Sequence, residues 1–135
     1  MSRLAFRRDL VIVACAVSAG IHGGLVPGHF DESTGAGLGF AAATIALGAL
    51  VVALALRPGS APVLAAAATV LSGLLGSYVV AITTGLPVLH PEPEPVDGLA
   101  LATKAIEAVG LVAAAALLRR PAVALTLTQA KGTPT

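Results

Sequence analysis

Charge is what this chain lacks most. Only 11% of its 135 residues are Asp, Glu, Lys or Arg, against roughly 25% in a soluble domain, so a surface wetted on all sides is excluded. Tryptophan is absent, and tyrosine and methionine occur once each. The single cysteine, Cys15, excludes an internal disulfide; inside an apolar run it reads as a small helix-packing residue. There is no Ser-His-acid constellation, no phosphate-binding loop and no basic patch suited to nucleic acid, so enzyme activity has little support and no nucleic-acid partner is expected. What is present is Ala, Leu, Val and Gly in quantity, 56% apolar residues and a mean hydropathy of +0.92. The solvent that fits this composition is a lipid bilayer.

Four apolar stretches stand out, at Leu10 to Val26, Gly37 to Leu56, Val63 to Ile82 and Gly98 to Leu118, each 17 to 21 residues long. At ~1.5 Å per residue they match a hydrocarbon core of ~30 Å, the first being short unless Leu4 to Asp9 extends it. Backbone groups in lipid must pair within the segment, so all four are expected to be helices. The expected fold class is therefore all-α, a four-helix transmembrane bundle in one membrane domain spanning 1–135, with 119–135 as a polar tail. The first helix is expected to kink or end at Pro27, because proline removes an interior hydrogen bond and suits a fresh first turn.

Arg3, Arg7, Arg8, Arg57, Arg119, Arg120 and Lys131 fall on one side of a four-span arrangement, which the positive-inside rule makes cytoplasmic together with both termini. The other side carries His29, Asp31, Glu32, His90, Glu92, Glu94 and Asp97 and no Lys or Arg. A competing reading takes Arg7-Arg8, a short apolar run and "VSAG" as a signal peptide cleaved after Ala19. Intact mass distinguishes the two.

A shift of 61 residues aligns His29 with His90, Asp31 with Glu92 and Gly37-Leu38 with Gly98-Leu99, and between Gly20 and Arg57 gives 13 identities in 38 positions. Two spans per copy would make parallel repeats around an axis along the membrane normal, with His29 and His90 as partners. Small residues four apart, Gly20/Gly24, Ser72/Gly76 and Gly73/Ser77, point to a close contact between the first and third spans.

Within this greasy chain, "HGGLVPGHFDE" concentrates two histidines and two acids. His22 lies about 6 Å below the outer end of its span and Glu107 on the order of 13 Å deep. A charge at that depth must be paired, neutralised or hydrated, which makes Glu107 a functional candidate. Side chains lean toward the N-terminus of their helix, so His22 and Glu107 approach each other if the first and last helices are neighbours. Plainer roles compete: Lys104 stands three residues before Glu107 and could pair with it, His22 could bond to Ser18 or a backbone carbonyl, and His29 and His90 could be solvated loop residues. Were the first helix to continue past Pro27, His22 and His29 would share a face, with Glu32 three residues further on. "HPEPEP" should be stiff and extended, lying over the outer end like a lid.

A His near the end of the first span, then Val26-Pro27, His29-Phe30 and Glu32, Gly37 to Phe40 opening the second span, Thr84 to Pro87 after the third, and Asp97 with Glu107 ten residues on resemble an uncharacterised family of small four-span membrane proteins of high-GC bacteria. The resemblance covers about Ile21 to Leu118. It implies the same topology in a bacterial plasma membrane and no particular activity.

Two functional classes follow. In the first, His22, His29 and His90 with Glu32, Asp97 or Glu107 hold a divalent transition metal at the outer end; imidazole with carboxylate suits Zn²⁺, Cu²⁺ or Fe, and the lack of outer Cys and Met disfavours Cu(I). In the second, the bundle is a non-catalytic accessory subunit of a larger membrane complex or a homo-oligomer, its small-residue grooves receiving other helices. Haem between His22 and a histidine of the other half is weaker, since the third span contains no His, only Tyr78. Transport is weaker too, because short Ala-rich helices leave little interior volume and none is broken at depth.

Overall fold

The computed structural model describes residues 2–86 and 92–119. They form four helices, α1 (Arg3–Glu32), α2 (Thr34–Leu56), α3 (Ala61–Thr83) and α4 (Gly98–Leu118), with no strand among them. All four are long and apolar enough to cross a membrane. The surface agrees: Ile45, Leu56 and Val112 are 72%, 76% and 69% exposed, which is unremarkable for side chains facing lipid.

The helices alternate in direction. Gly110 of α4 meets Ala14 of α1 and Leu71 of α3, and Ser18 of α1 reaches Glu107 one turn away, so α4 runs antiparallel to α1. α1 packs along α2 and α4, and α3 along α4; α2 and α3 touch least, with an apolar groove between Ala46, Ala49, Ala66 and Val70. One end of the bundle thus gathers Arg3, Arg7, Arg8, Arg57 and Arg119, and the opposite end gathers His29, Asp31, Glu32, Glu94 and Asp97.

Two sequence expectations are corrected. α1 does not stop or restart at Pro27 but runs unbroken to Glu32. The hydrogen bond that Pro27 would have made to the Gly23 carbonyl is lost, and the helix continues through it as one element. The chain then reverses through one residue. Ser33 is extended, its N–H donates to His29 O, and its hydroxyl accepts from Ala36 N to cap α2. Gly37 lets the hairpin close so tightly, because a Cβ there would run into the Phe30 ring.

The small residues do not join the first and third spans. α1 and α3 are not packed neighbours, and Gly20, Gly24, Gly73 and Gly76 have nothing within 4 Å of where a Cβ would be. The close approach lies instead at Gly110, where a Cβ would stand 2.5 Å from Ala14 Cβ. The two halves also differ at their outer connections: Ser33 alone separates α1 from α2, whereas residues 84–97 separate α3 from α4.

The packed core occupies the arginine half of the bundle. Val11, Cys15, Leu47, Leu54, Ala67, Leu71 and Ala114 are almost wholly buried there. Toward the other end the four helices part, leaving a cavity of about 410 Å³. Asp97 opens α4 at its mouth as N-cap, accepting from Ala100 N at 2.7 Å.

Candidate functional site: a polar cavity above a buried ion pair

At the floor of the cavity's side of the core, Glu107 is fully buried and both of its oxygens are engaged. Ser18 Oγ donates to Oε1 at 2.7 Å, and Lys104 Nζ donates to Oε2 at 2.8 Å. The salt bridge that the three-residue spacing allowed is therefore formed, and the charge at depth is balanced. The ammonium of Lys104 lies 5.5 Å from the centroid of the Tyr78 ring, a cation–π distance.

His22 sits one turn above Ser18 on α1 and is buried. Its Nδ1 is 2.9 Å from the carbonyl oxygen of Ser18 and 3.3 Å from the Ser18 hydroxyl. A carbonyl can only accept, so Nδ1 carries a proton, and in the neutral ring the lone pair is at Nε2. His22 and Glu107 thus approach as expected, but through Ser18, which sequence reasoning had treated only as a partner for the histidine.

His29 repeats the arrangement at the mouth. Its Nδ1 lies 2.9 Å from Glu32 Oε2, three residues on, and Nε2 has no hydrogen bond among the described residues. Both imidazoles rest against Phe40 of α2, with ring centroids 5.2 Å (His22) and 3.7 Å (His29) from it. The unbroken α1 places them on one face, and both line the cavity.

The six residues expected to hold a metal therefore have separate fates. His29 and Glu32 are paired, His22 lines the same cavity two helical turns deeper, Glu107 is committed to Ser18 and Lys104, Asp97 uses one oxygen as a helix cap, and His90 lies outside the described residues. Among the described residues no three His, Cys, Asp or Glu side chains stand together so as to hold an ion. Of the segment expected to lie over the outer end, His90 and Pro91 lie outside the described residues; residues 92–97 are neither helix nor strand, and Glu94 N donates to Ala81 O, tying them to the end of α3.

Thr103 was not singled out in the sequence, and Phe40 and Tyr78 were named there without a place in the site; all three line the cavity. Tyr78 carried a signal as the chain's single tyrosine. Its hydroxyl is buried and has no hydrogen-bond partner among the described residues. No protein-family model matches the chain, and no curated protein or solved structure matches it.

Proposed function

We propose that this integral membrane protein binds a divalent transition metal at the polar end of its bundle, through Nε2 of His22 and His29, with Glu32, Asp97 and His90 as the remaining candidates. The observation that carries this reading is the shared state of the two histidines. Each is oriented through Nδ1 by an acceptor on its own helix, neither has a hydrogen bond at Nε2 among the described residues, and both line one cavity. That is how ligating imidazoles are ordinarily held, by an outer partner that sets the tautomer and aims the ring. Zn²⁺, Cu²⁺ and Fe suit such a set. Glu107 leaves the set, since its charge is needed by Lys104. With the arginine end facing the cytoplasm of a bacterial plasma membrane, the cavity would open to the outside.

Elemental analysis of protein from its native membrane tests this. The expected result is bound metal that His22→Ala and His29→Ala each reduce, and a thermal shift on adding Zn²⁺ or Cu²⁺. Metal at background level with no thermal shift overturns it.

A second reading, an accessory subunit in a larger membrane complex or a homo-oligomer, has one observation in its favour. Ser72, Gly73, Gly76 and Ser77 on α3 are exposed, and no neighbouring atom fills the space beside either glycine. A face of that kind admits another helix closely. A species that stays monomeric and alone in mild detergent speaks against it.

A further inference from the structure

We propose that the inner end of the cavity binds a neutral, membrane-soluble carbonyl compound of the quinone type, with Tyr78 Oη and Lys104 Nζ as hydrogen-bond donors to its oxygen. The size is suitable: about 410 Å³ lies within the range of about 300–1,000 Å³ typical of small-molecule sites. Ile21, Leu25, Leu74 and Leu99 give the cavity an apolar lining as well. Tyr78 brings a hydroxyl that is buried yet unpaired among the described residues, an arrangement that costs stability unless something accepts from it. Lys104 spends one of its three N–H groups on Glu107 and has others to give. His22 is not a donor here, because its proton is held on Nδ1 by the Ser18 carbonyl.

Charge selects the class of ligand. Lys104 is already neutralised by Glu107 at 2.8 Å. An anionic headgroup would add an unbalanced negative charge beneath a mouth that carries Glu94 and Asp97. A neutral oxygen acceptor on an apolar body meets no such penalty. Entry from the bilayer suits such a molecule, because the cavity is walled by spans whose outer faces are themselves apolar. The proposal uses neither His22 nor His29, so it stands or falls apart from the metal site.

The sequence supplies its own probe. With no Trp and one Tyr, tyrosine emission reports on Tyr78 alone. Full-length protein in phosphatidylcholine nanodiscs, with a chelator present, is titrated with menadione, with the carbonyl-free 2-methylnaphthalene, and with oleate. The expected result is saturable quenching of Tyr78 emission by menadione, and calorimetric affinity about three- to tenfold weaker in Tyr78→Phe, the value of one hydrogen bond. The charge-neutral pair Lys104→Met/Glu107→Gln should weaken it similarly while keeping the helix signal. Quenching that rises linearly without saturation, equal binding of 2-methylnaphthalene, unchanged affinity in both variants, or oleate displacing menadione would each overturn the proposal.

Discussion

Ser18 and Glu107, 89 positions apart in sequence, are joined by a 2.7 Å hydrogen bond across the α1–α4 contact, inside an apolar bundle. The bond marks the level at which the bundle changes character. Below it lie Val11, Cys15, Leu71 and Ala114 in a dry core; above it lie His22, Lys104, Tyr78 and the cavity. Glu107 is tolerated at that level because a hydroxyl and an ammonium divide its two oxygens.

The two partners of the ion pair should not be equivalent under mutation. Lys104→Met leaves the fully buried carboxylate without its counter-charge, and breaking a buried pair in this way costs about 3–5 kcal/mol. Glu107→Leu should cost less, since the flexible lysine stem can carry its ammonium toward the mouth. Lys104→Met/Glu107→Leu together should recover most of the loss. Unfolding in mixed detergent micelles measures the cycle; equal costs for the two single variants would contradict the account of Glu107 as the trapped charge.

Gly110 should be the least replaceable glycine. A Cβ there meets Ala14 Cβ at 2.5 Å and Leu71 Cδ1 at 3.2 Å, so Gly110→Ala must push α1 or α3 away from α4. Overpacking of this kind costs about 1–3 kcal/mol. Gly76→Ala, with open space around it, should be neutral or gain about 0.5–1 kcal/mol from helix propensity. A thermal-stability comparison of the two in detergent checks the contrast. A large loss at Gly76 would instead favour a partner helix on α3.

How much of this was legible beforehand depended on which force decides each feature. The four spans and the partition of arginines and acids were readable, because length and charge relative to a bilayer are properties of the one-dimensional string. The Lys104–Glu107 pair was readable for a similar reason, since three residues on a helix fix proximity. The continuation of α1 through Pro27 was not, because the local penalty for an interior proline argues for a break, and only the assembled bundle shows the helix carried past it to Glu32. Nor was the helix arrangement. Small residues are spread through the chain, and only assembly shows that Gly110 is at a contact while Gly73 and Gly76 are not. Ser18 was seen as a local partner of His22; its longer reach to Glu107 is a tertiary fact.

Tyr78→Phe should leave the ligand-free protein as stable as before or raise its stability by up to about 1–3 kcal/mol. The hydroxyl has no acceptor among the described residues, and removing a buried unpaired group recovers its desolvation penalty. Thermal unfolding of protein stripped of small lipophilic molecules measures this. A clear loss would mean that the hydroxyl is satisfied in the membrane by something permanent, such as an ordered water.

Sidedness can be read with the chain's own cysteine economy. Cys15 is wholly buried in the core, so a maleimide should leave the folded protein unmodified and react only after denaturation in SDS. In a Cys15→Ala background, Asp31→Cys and Arg57→Cys then place single thiols at opposite ends of the bundle, both at exposed positions. If the arginine end faces the cytoplasm, a membrane-impermeant maleimide should label Asp31→Cys in intact cells and Arg57→Cys only after permeabilisation. The reverse pattern would turn the cavity inward and remove the extracytoplasmic setting from both binding proposals, while leaving the geometry of His22, His29, Tyr78 and Lys104 unchanged.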